Sequence, residues 1–338
     1  MWKRLKIRQY KPKQHKQGRF PTPRMMLTAY CLHPYPERLP LHTKANTEME
    51  GRLLCCEAES ELRAQDDPVL LQSRVLWKLL AAEERYIPSA SYFQCVQKEV
   101  HPHMRKMLTN WMLEVCEDQK CGEQVFTLAV NCLDRFLSLT QVEKRHLQLL
   151  GATCLLLVSK LKETNPITIE NLCMYSDYSF TERELRSMEL LVLNKLKWDI
   201  EAVTPQDFLS HLLELLNIPV EKMTLIRKHA ETFIALCTTD CTFIALPPSL
   251  VAAASVSAAV GGLRLEKLGK AYSSMVITKH LAHAIQCDPL FLKTCQEQIE
   301  ISLHSTLHNA QRNQVSDSKM VEEIERSSTP TDVLDIDL

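Results

Sequence analysis

MRKMLTNWMLEVCEDQKCGEQVFTLAVNCLDRFLSLTQVEKRHLQLLGATCLLLVSKLKE, residues 104–163, is the stretch that decides the fold. In its first part, apolar residues recur at steps of three and four, which is the stripe of a helix with one buried face. The two stripes are Met104, Met107, Leu108, Trp111, Met112 and Val115, and then Val125, Leu128, Ala129, Cys132, Leu133 and Phe136. Residues 147–161 are apolar almost all round, with small residues at Gly151, Ala152 and Ser159. Because a helix without a polar face has to be covered on every side, we predict that this third helix is surrounded by other helices.

Helical patterns continue on both sides of this stretch. Upstream, residues 68–84 are amphipathic, and Tyr86-Ile87-Pro88 breaks the chain after them. Downstream, the predicted helices are 168–175 and 181–196, followed after Thr204-Pro205 by 206–216, 221–239, 248–263, 272–285 and 289–307. Thr181 and Glu184 have the spacing of a capping box. The small-residue helix 248–263 follows its counterpart by about one hundred residues, which indicates a repeated five-helix unit.

Length and composition exclude several classes of protein. The 338 residues suffice for two domains, and the net charge of −1 argues against a chain that seeks nucleic acid as a whole. None of the 7 glycines forms a GxGxxG or GxxxxGK[ST] motif, so a nucleotide-binding Rossmann or P-loop site is not expected. The 13 cysteines are scattered without a CxxC, which favours buried free thiols. No signal peptide is expected, and 247–263 is too short and too polar to span a membrane.

Both ends of the chain differ from the middle. Residues 1–48 are rich in lysine, arginine and proline and are predicted to be disordered. They fit a nuclear-import or RNA-binding tail, an extension without function, or a start codon placed too early. Residues 310–338 are polar and acidic, without periodicity, and are also predicted to be disordered.

Four segments, in this order and spacing, resemble the cyclin box. They are MRKMLTNWMLEV at 104–115, LAVNCLDRFLS at 128–138, LQLLGATCLLLVSKLKE at 147–163 and MELLVLNKLKWD at 188–199. The resemblance runs from about residue 70 to about residue 307. LLCCE at 53–57 and TPTDV at 329–333 are typical of the D-type cyclins.

This resemblance implies an all-α fold of two tandem five-helix cyclin-box domains with an N-terminal helix and disordered ends. The expected segments are a basic extension with an L-x-C-x-E motif (1–67), a first box with its leading helix (68–203), a second box (204–309) and an acidic tail (310–338). The leading helix is expected to pack across the second domain or the kinase.

The resemblance also implies a function. A D-type cyclin has no catalysis of its own and needs no cofactor. It binds cyclin-dependent kinase 4 or 6 and favours the kinase conformation with its C-helix turned in. The expected outcome is phosphorylation of retinoblastoma-family proteins and progression from G1 to S phase, with the cyclin in both nucleus and cytoplasm.

Two polar residues are matched to the kinase contact. Lys160 lies near the end of an almost wholly apolar helix, where a charge needs a partner or an exit to water. The resemblance makes Lys160 and Glu189 the polar anchors that hold the kinase. The alternative is a lysine that reaches out to solvent and an unrelated solvated glutamate.

A second matched site is a docking patch for Arg-x-Leu peptides of substrates and Cip/Kip-type inhibitors. Its residues are Met104, Leu108, Trp111, Glu114 and Gln148. An exposed apolar groove with an acid at its rim suits such a ligand. The alternative is ordinary core packing, and Lys106 and Met107 depart from the Ala-Ile pair commoner in other cyclins.

Two short motifs lie outside the boxes. Leu53, Cys55 and Glu57 form the L-x-C-x-E pattern that a retinoblastoma-type pocket protein binds as an extended peptide. Thr329 precedes Pro330 in the acidic tail and is expected to be phosphorylated and then recognised by a ubiquitin ligase.

Other functions fit the residues less well. A tandem cyclin-fold transcription factor would need a basic face on its folded core, whereas the predicted helices mix both charges. A metal-dependent helical enzyme would need more ligands than the pairs His280/His283 and His304/His308, which lack a nearby acid or cysteine and are expected to face solvent. Neither Cys121 nor Cys237 has a linked base, as a catalytic nucleophile requires.

Overall fold

The computed structural model describes residues 73–216, 218–263 and 273–326, and within these ranges all regular structure is helical. The helices of the first half are α1 (Ser73–Glu83), α2 (Tyr92–Cys95), α3 (Pro102–Asp118), α4 (Glu123–Leu139), α5 (Leu147–Lys162), α6 (Ile169–Tyr175) and α7 (Glu182–Lys195). Those of the second half are α8 (Pro205–Glu214), α9 (Val220–Thr239), α10 (Pro248–Gly262), α11 (Ser274–Ala284) and α12 (Pro289–Arg326). No described helix is both long and apolar enough to cross a membrane.

Helix starts follow the local chemistry of the sequence. Thr181 accepts a hydrogen bond from the backbone N–H of Glu184, whose carboxylate accepts from the N–H of Thr181 at 2.7 Å, so the predicted capping box is present. A second capping box joins Thr204 and Asp207 at the start of α8, with Pro205 as the first helical residue. These caps fix where α7 and α8 begin, within one residue of the predicted positions.

The first five-helix unit, α3 to α7, is built around α5. Twelve residues of α5 are buried, which is every residue from Leu147 to Ser159 except Gln148. Helices α3, α4, α6 and α7 pack against it. A β-carbon at Gly151 would lie 2.8 Å from Cδ1 of Leu108, so the glycine permits the close approach of α3 to α5. The predicted central position of this helix is therefore confirmed.

The second unit repeats this plan around α10. Residues Ser249 to Val260 of α10 are all buried, and α8, α9, α11 and α12 contact it. Because its side chains are mostly alanine, serine and valine, four neighbouring helices can approach closely. The predicted repeat of a five-helix unit is confirmed.

A buried ion pair lies where the two units meet. Arg105 of α3 binds Asp134 of α4 through two hydrogen bonds of 2.7 Å, and both side chains are almost fully buried. The guanidinium also donates to the backbone carbonyls of Thr238 and Thr239, at the end of α9. Tyr92 donates to the same carboxylate at 3.0 Å. One cation thus links helices of both units.

The leading helix α1 docks on the second unit. Leu76 is part of the second hydrophobic core, and Leu79 and Leu80 pack against that core. At the end of α1, the carboxylate of Glu83 accepts hydrogen bonds from the backbone N–H and the hydroxyl of Ser249, each 2.8 Å long. Burial raises the pKa of Glu83, although these two hydrogen bonds oppose the rise. We expected this helix to pack against the second domain or the kinase, and in the structure it packs against the second domain.

The last helix is longer than the sequence pattern indicated. We expected the second box to end at residue 309 and a tail without regular structure to follow, but α12 continues to Arg326. Residues 310–326 contain no proline or glycine and several strong helix formers, so nothing in their backbone chemistry ends the helix. Hydrophobic periodicity, on which the boundary was based, reports burial of a face and not the end of a helix.

Candidate protein-binding sites

The end of α5 and the middle of α7 present an ion pair on the surface of the first unit. Lys160 Nζ donates to Glu189 Oε1 at 2.6 Å, with the lysine side chain 46% exposed and the glutamate 16% exposed. The charge of Lys160 needs either a partner or access to water at the end of an apolar helix, and it has both. The two residues expected to act together are in direct contact.

Apolar side chains accompany this ion pair. Leu161, next to Lys160, is 48% exposed, and Leu190 and Leu191, next to Glu189, are 58% and 41% exposed. Exposed leucines beside a charged pair are typical of a surface that another protein covers. We call these five residues the α5/α7 surface; the sequence identified its two charges but not its leucines, which follow the same helical pattern as core residues.

The predicted docking patch is only partly on the surface. Met104, Trp111 and Gln148 are half-buried, and Glu114 is exposed. Leu108 is 6% exposed and packs against Gly151 of α5, so the expectation of an exposed Leu108 is wrong. The physical reason is that Gly151 removes the side chain that would otherwise hold Leu108 away from α5. Leu108 belongs to the floor beneath the patch.

Hydrogen bonds fix the polar atoms of this patch. Trp111 Nε1 donates to the carbonyl oxygen of Tyr175 at 3.2 Å, and Ser179 Oγ donates to Gln148 Oε1 at 3.2 Å. Partial burial, with a smaller effect of the neighbouring Glu117, raises the pKa of Glu114. Met107, which we did not include, is 39% exposed on the same helix; its position three residues after Met104 is the signal that could have identified it.

Two predicted motifs cannot be placed. Leu53, Cys55 and Glu57, and also Thr329, lie outside the described residues.

Potential metal ligands and thiols are spread over the described part of the chain. Within it, no group of three or more His, Cys, Asp or Glu side chains has the arrangement of a metal site. His280, His283, His304 and His308 are all exposed, as expected. The ten described cysteines are free thiols, and six of them, including Cys132 and Cys154, are buried.

Two five-helix repeats with exposed apolar and ionic surfaces define a helical protein-binding subunit. Comparison with models of protein families identifies which family of helical proteins has this fold. Residues 74–201 match the cyclin N-terminal domain, and residues 203–330 match the cyclin C-terminal domain.

Individual relatives indicate which group within the cyclin family the chain resembles. The chain is 54% identical to G1/S-specific cyclin-D1 of Danio rerio over 86% of its own length and 100% of that protein. It is 54% identical to G1/S-specific cyclin-D2 of Xenopus laevis over 85% of its own length and 99% of that protein. The solved structure of a viral cyclin from herpesvirus saimiri matches with a TM-score of 0.59 and 29% identity, over 68% of this chain and 97% of that one. The chain therefore belongs to the cyclin family, in its D-type group.

Membership of this family settles the general role. Cyclins are regulatory subunits of cyclin-dependent kinases that act in the cell cycle, and they are not themselves enzymes. The resemblance to D-type cyclins and the fold of two tandem cyclin domains, both predicted from the sequence, are confirmed.

Proposed function

We propose that this cyclin activates a kinase of the cyclin-dependent kinase 4 or 6 type and directs it to retinoblastoma-family proteins, promoting the transition from G1 to S phase. The observation that carries the proposal is the α5/α7 surface, where the Lys160–Glu189 ion pair of 2.6 Å has exposed leucines next to each of its residues in the sequence. Apolar contact supplies affinity there, and a single ion pair fixes orientation. The names of the D-type relatives, which are G1/S-specific cyclins, support the stage of the cell cycle.

Activation follows from differential binding. A surface that fits only the kinase conformation with its C-helix turned in shifts the kinase toward that conformation. The kinase can then form the Lys–Glu ion pair that its phosphoryl transfer requires. The cyclin thus positions the catalytic residues of the kinase and carries out no chemical step itself.

The double variant Lys160→Ala/Glu189→Ala tests this proposal. Loss of polar anchors at an interface commonly costs about 2–5 kcal/mol of binding free energy. The double variant should therefore fail to activate the kinase at concentrations at which the wild-type cyclin saturates it. The fold should persist, because a partly exposed ion pair contributes about 1 kcal/mol or less to stability. The measurement is the activity of purified cyclin-dependent kinase 4 on a fragment of a retinoblastoma-family protein. Thermal unfolding checks that the variant is folded.

A matched control uses another ion pair of the same helix. Lys162 contacts Glu201, just before the start of the second unit, and both side chains are partly exposed. Lys162→Ala/Glu201→Ala should retain activation. Equal activation by both double variants would mean that Lys160 and Glu189 are not the anchors.

The docking patch around Trp111 is proposed to bind Arg-x-Leu segments of substrates and Cip/Kip-type inhibitors. Met104 and Trp111 supply a partly exposed apolar surface, and the Glu114 carboxylate supplies a partner for the arginine. Trp111→Ala should weaken inhibitor binding by about 2 kcal/mol or more, while activity on a short peptide without Arg-x-Leu is kept. Trp111→Phe separates the ring from the hydrogen bond to Tyr175. Unfolding of both variants would assign Trp111 to the core.

The L-x-C-x-E motif is proposed to capture a retinoblastoma-family pocket protein. Replacing Leu53, Cys55 and Glu57 together with alanine should weaken capture of that protein and leave kinase binding unchanged, since the motif precedes the first cyclin domain. Undiminished capture by the triple variant would reject this assignment.

Thr329 is proposed to control turnover and the distribution of the protein between nucleus and cytoplasm. Phosphate on a threonine followed by proline adds about −1.5 to −2 charge and suits recognition by an arginine-lined pocket of a ubiquitin ligase. Thr329→Ala should lengthen the half-life in a cycloheximide chase and keep the protein nuclear, whereas Thr331→Ala should not. Equal decay of Thr329→Ala and the wild type contradicts the proposal.

A further inference from the structure

The C-terminal end of α3 brings two cysteines together. The backbone N–H of Lys120 donates to the carbonyl of Glu117 at 3.2 Å, and that of Cys121 donates to the carbonyl of Cys116 at 2.9 Å. Lys120 has a left-handed φ of 53°. This pair of bonds is the Schellman motif, in which the two residues joined by the outer bond place their side chains against each other. Here both of those residues carry thiols.

The two thiols differ in access to solvent. Cys116 is 5% exposed, whereas Cys121 is half-buried. Both line a cavity of about 830 Å³ between the two cyclin domains, with Phe126 of α4 and Phe233 of α9 among its other walls. Cys121 is therefore the more accessible of these two residues.

The contact between the thiols also makes them chemically different. Interaction between the two neighbouring thiols raises the pKa of Cys116, with burial adding to the rise, and lowers the pKa of Cys121. The effect on Cys121 persists although its partial burial and the nearby Glu163 carboxylate both act in the opposite direction. A thiol that ionises more readily is the better nucleophile, so Cys121 is the more reactive of the two.

Other thiols of the described chain lack this combination. Cys132 and Cys154 lie close enough to influence each other, but both are 0% exposed. Cys95 is exposed. Cys287 is half-buried and lies near Cys295, but burial raises its pKa. Reactivity and a second thiol within reach coincide at Cys121 and Cys116.

We propose that Cys116 and Cys121 form a redox-modification site, at which hydrogen peroxide oxidises Cys121 and Cys116 then closes a disulfide. The Cys121 thiolate attacks one peroxide oxygen, the O–O bond breaks, and the departing hydroxide takes up a proton and leaves as water. The resulting sulfenic acid is attacked by the sulfur of Cys116. The S–O bond breaks, and the hydroxyl leaves with the proton of Cys116 as a second water. The two thiols lose two electrons, and one peroxide is reduced to two waters.

Peptide mapping of the full-length chain tests this site. Trypsin cleaves after Lys106, Lys120 and Arg135, so Cys116 falls in peptide 107–120 and Cys121 in peptide 121–135. After treatment of the native protein with an equimolar amount of hydrogen peroxide and alkylation of the remaining thiols, the two peptides should appear linked, lighter by two hydrogens than their sum. Cys132 shares the second peptide, so the variant Cys132→Ala places the bond.

Three variants assign the roles. Cys121→Ser should abolish the linked peptide, and Cys95→Ser, the exposed control, should leave its yield unchanged. In Cys116→Ser, the sulfenic acid at Cys121 should accumulate and be trapped by dimedone. Circular dichroism melting checks that each variant is folded.

Three outcomes would overturn the proposal. One is the absence of the linked peptide from the oxidised native protein. Another is an equal yield of the link in native protein and in protein unfolded by urea, which requires no variant and so remains decisive if a serine variant fails to fold. The third is a lack of dimedone labelling at Cys121 in a folded Cys116→Ser protein.

Discussion

The central helices of the two cyclin domains occupy equivalent positions but use their polar residues in opposite ways. α5 ends at the surface, where Lys160 is partly exposed and paired with Glu189. α10 turns its polar groups inward: its first turn is bound by Glu83, and the hydroxyl of Ser257 interacts with Thr278 and Gln296.

The difference shows how a repeated fold divides its tasks. In the first domain, the end of the central helix carries the partly exposed ion pair of the proposed kinase-binding surface. In the second domain, the equivalent helix binds elements of its own chain, including α1 from the other end of the sequence. The second domain thus binds the leading helix, and the end of α9 accepts hydrogen bonds from Arg105 of the first domain.

The largest loss of stability is expected from the ion pair that joins the domains. Arg105→Met leaves the buried carboxylate of Asp134 without its partner and frees two carbonyls of α9, and breaking such a pair costs about 3–5 kcal/mol. Urea unfolding should show this decrease. Arg85→Met is the control, because Arg85 is 70% exposed in its pair with Asp199 and should contribute about 1 kcal/mol or less. Equal costs for the two variants would show that Arg105 does not join the domains.

A smaller loss is expected where α1 meets α10. Glu83→Ala leaves the N–H and hydroxyl of Ser249 unpaired in the interior, which costs about 1–3 kcal/mol. Helix α1 should become sensitive to limited proteolysis, while the Lys160–Glu189 contact and kinase activation persist. The exposed neighbour Glu84→Ala provides the matched control. Unchanged protection of α1 in Glu83→Ala would mean that leucine packing alone holds this helix.

The smallest effect is a dependence of stability on pH where α9 meets the start of α4. Burial raises the pKa of Glu231 to about 8, helped by the hydrogen bond that its protonated form donates to Glu123 and by repulsion between the two carboxylates, although Arg227 and Lys228 oppose the rise. Because the folded state holds this proton more tightly than the unfolded state, Glu231 lowers stability as the pH rises from its unfolded pKa toward 8.

Glu231→Gln should remove this loss. At pH 8, the variant should be more stable than the wild type by on the order of 1 kcal/mol, since the side chain keeps part of its surface in water. At pH 4, below the ordinary pKa of 4.5, the side chain is mostly protonated in both states, so the two proteins should unfold at the same urea concentration. Glu214→Gln, at an exposed site on α8, should leave the profile unchanged. A parallel shift at both pH values would contradict the role of this proton.

Local patterns predicted the elements of this fold well. Proline and threonine at helix starts placed α7, α8 and α10, and the uniformly apolar character of 147–161 placed α5 at a centre. Contacts between distant parts of the chain were beyond such patterns. Glu83 and Ser249 are 166 positions apart, and Arg105 binds backbone carbonyls, which have no side-chain signature in the sequence.

The candidate sites show the same limit. Lys160 and Glu189 were found because charges stand out in apolar helices, whereas the exposed Leu161, Leu190 and Leu191 have the same chemistry as core leucines. Leu108 was misplaced because burial at that position depends on the absent side chain of Gly151, which only the packing of two helices reveals.

The docking of α1 on α10 has a consequence for synthesis of the chain. α1 leaves the ribosome long before its binding surface exists, because Ser249 is made 166 residues after Glu83. At translation rates of about 5–20 residues per second, the helix waits about 10–30 seconds with its leucines uncovered. During this interval it is a site for chaperones, and the first domain can assemble without it. A ribosome-stalled chain whose exposed part ends before Pro248 should have a folded first domain and a protease-sensitive α1, and protection of α1 in that chain would show that it finds an earlier partner.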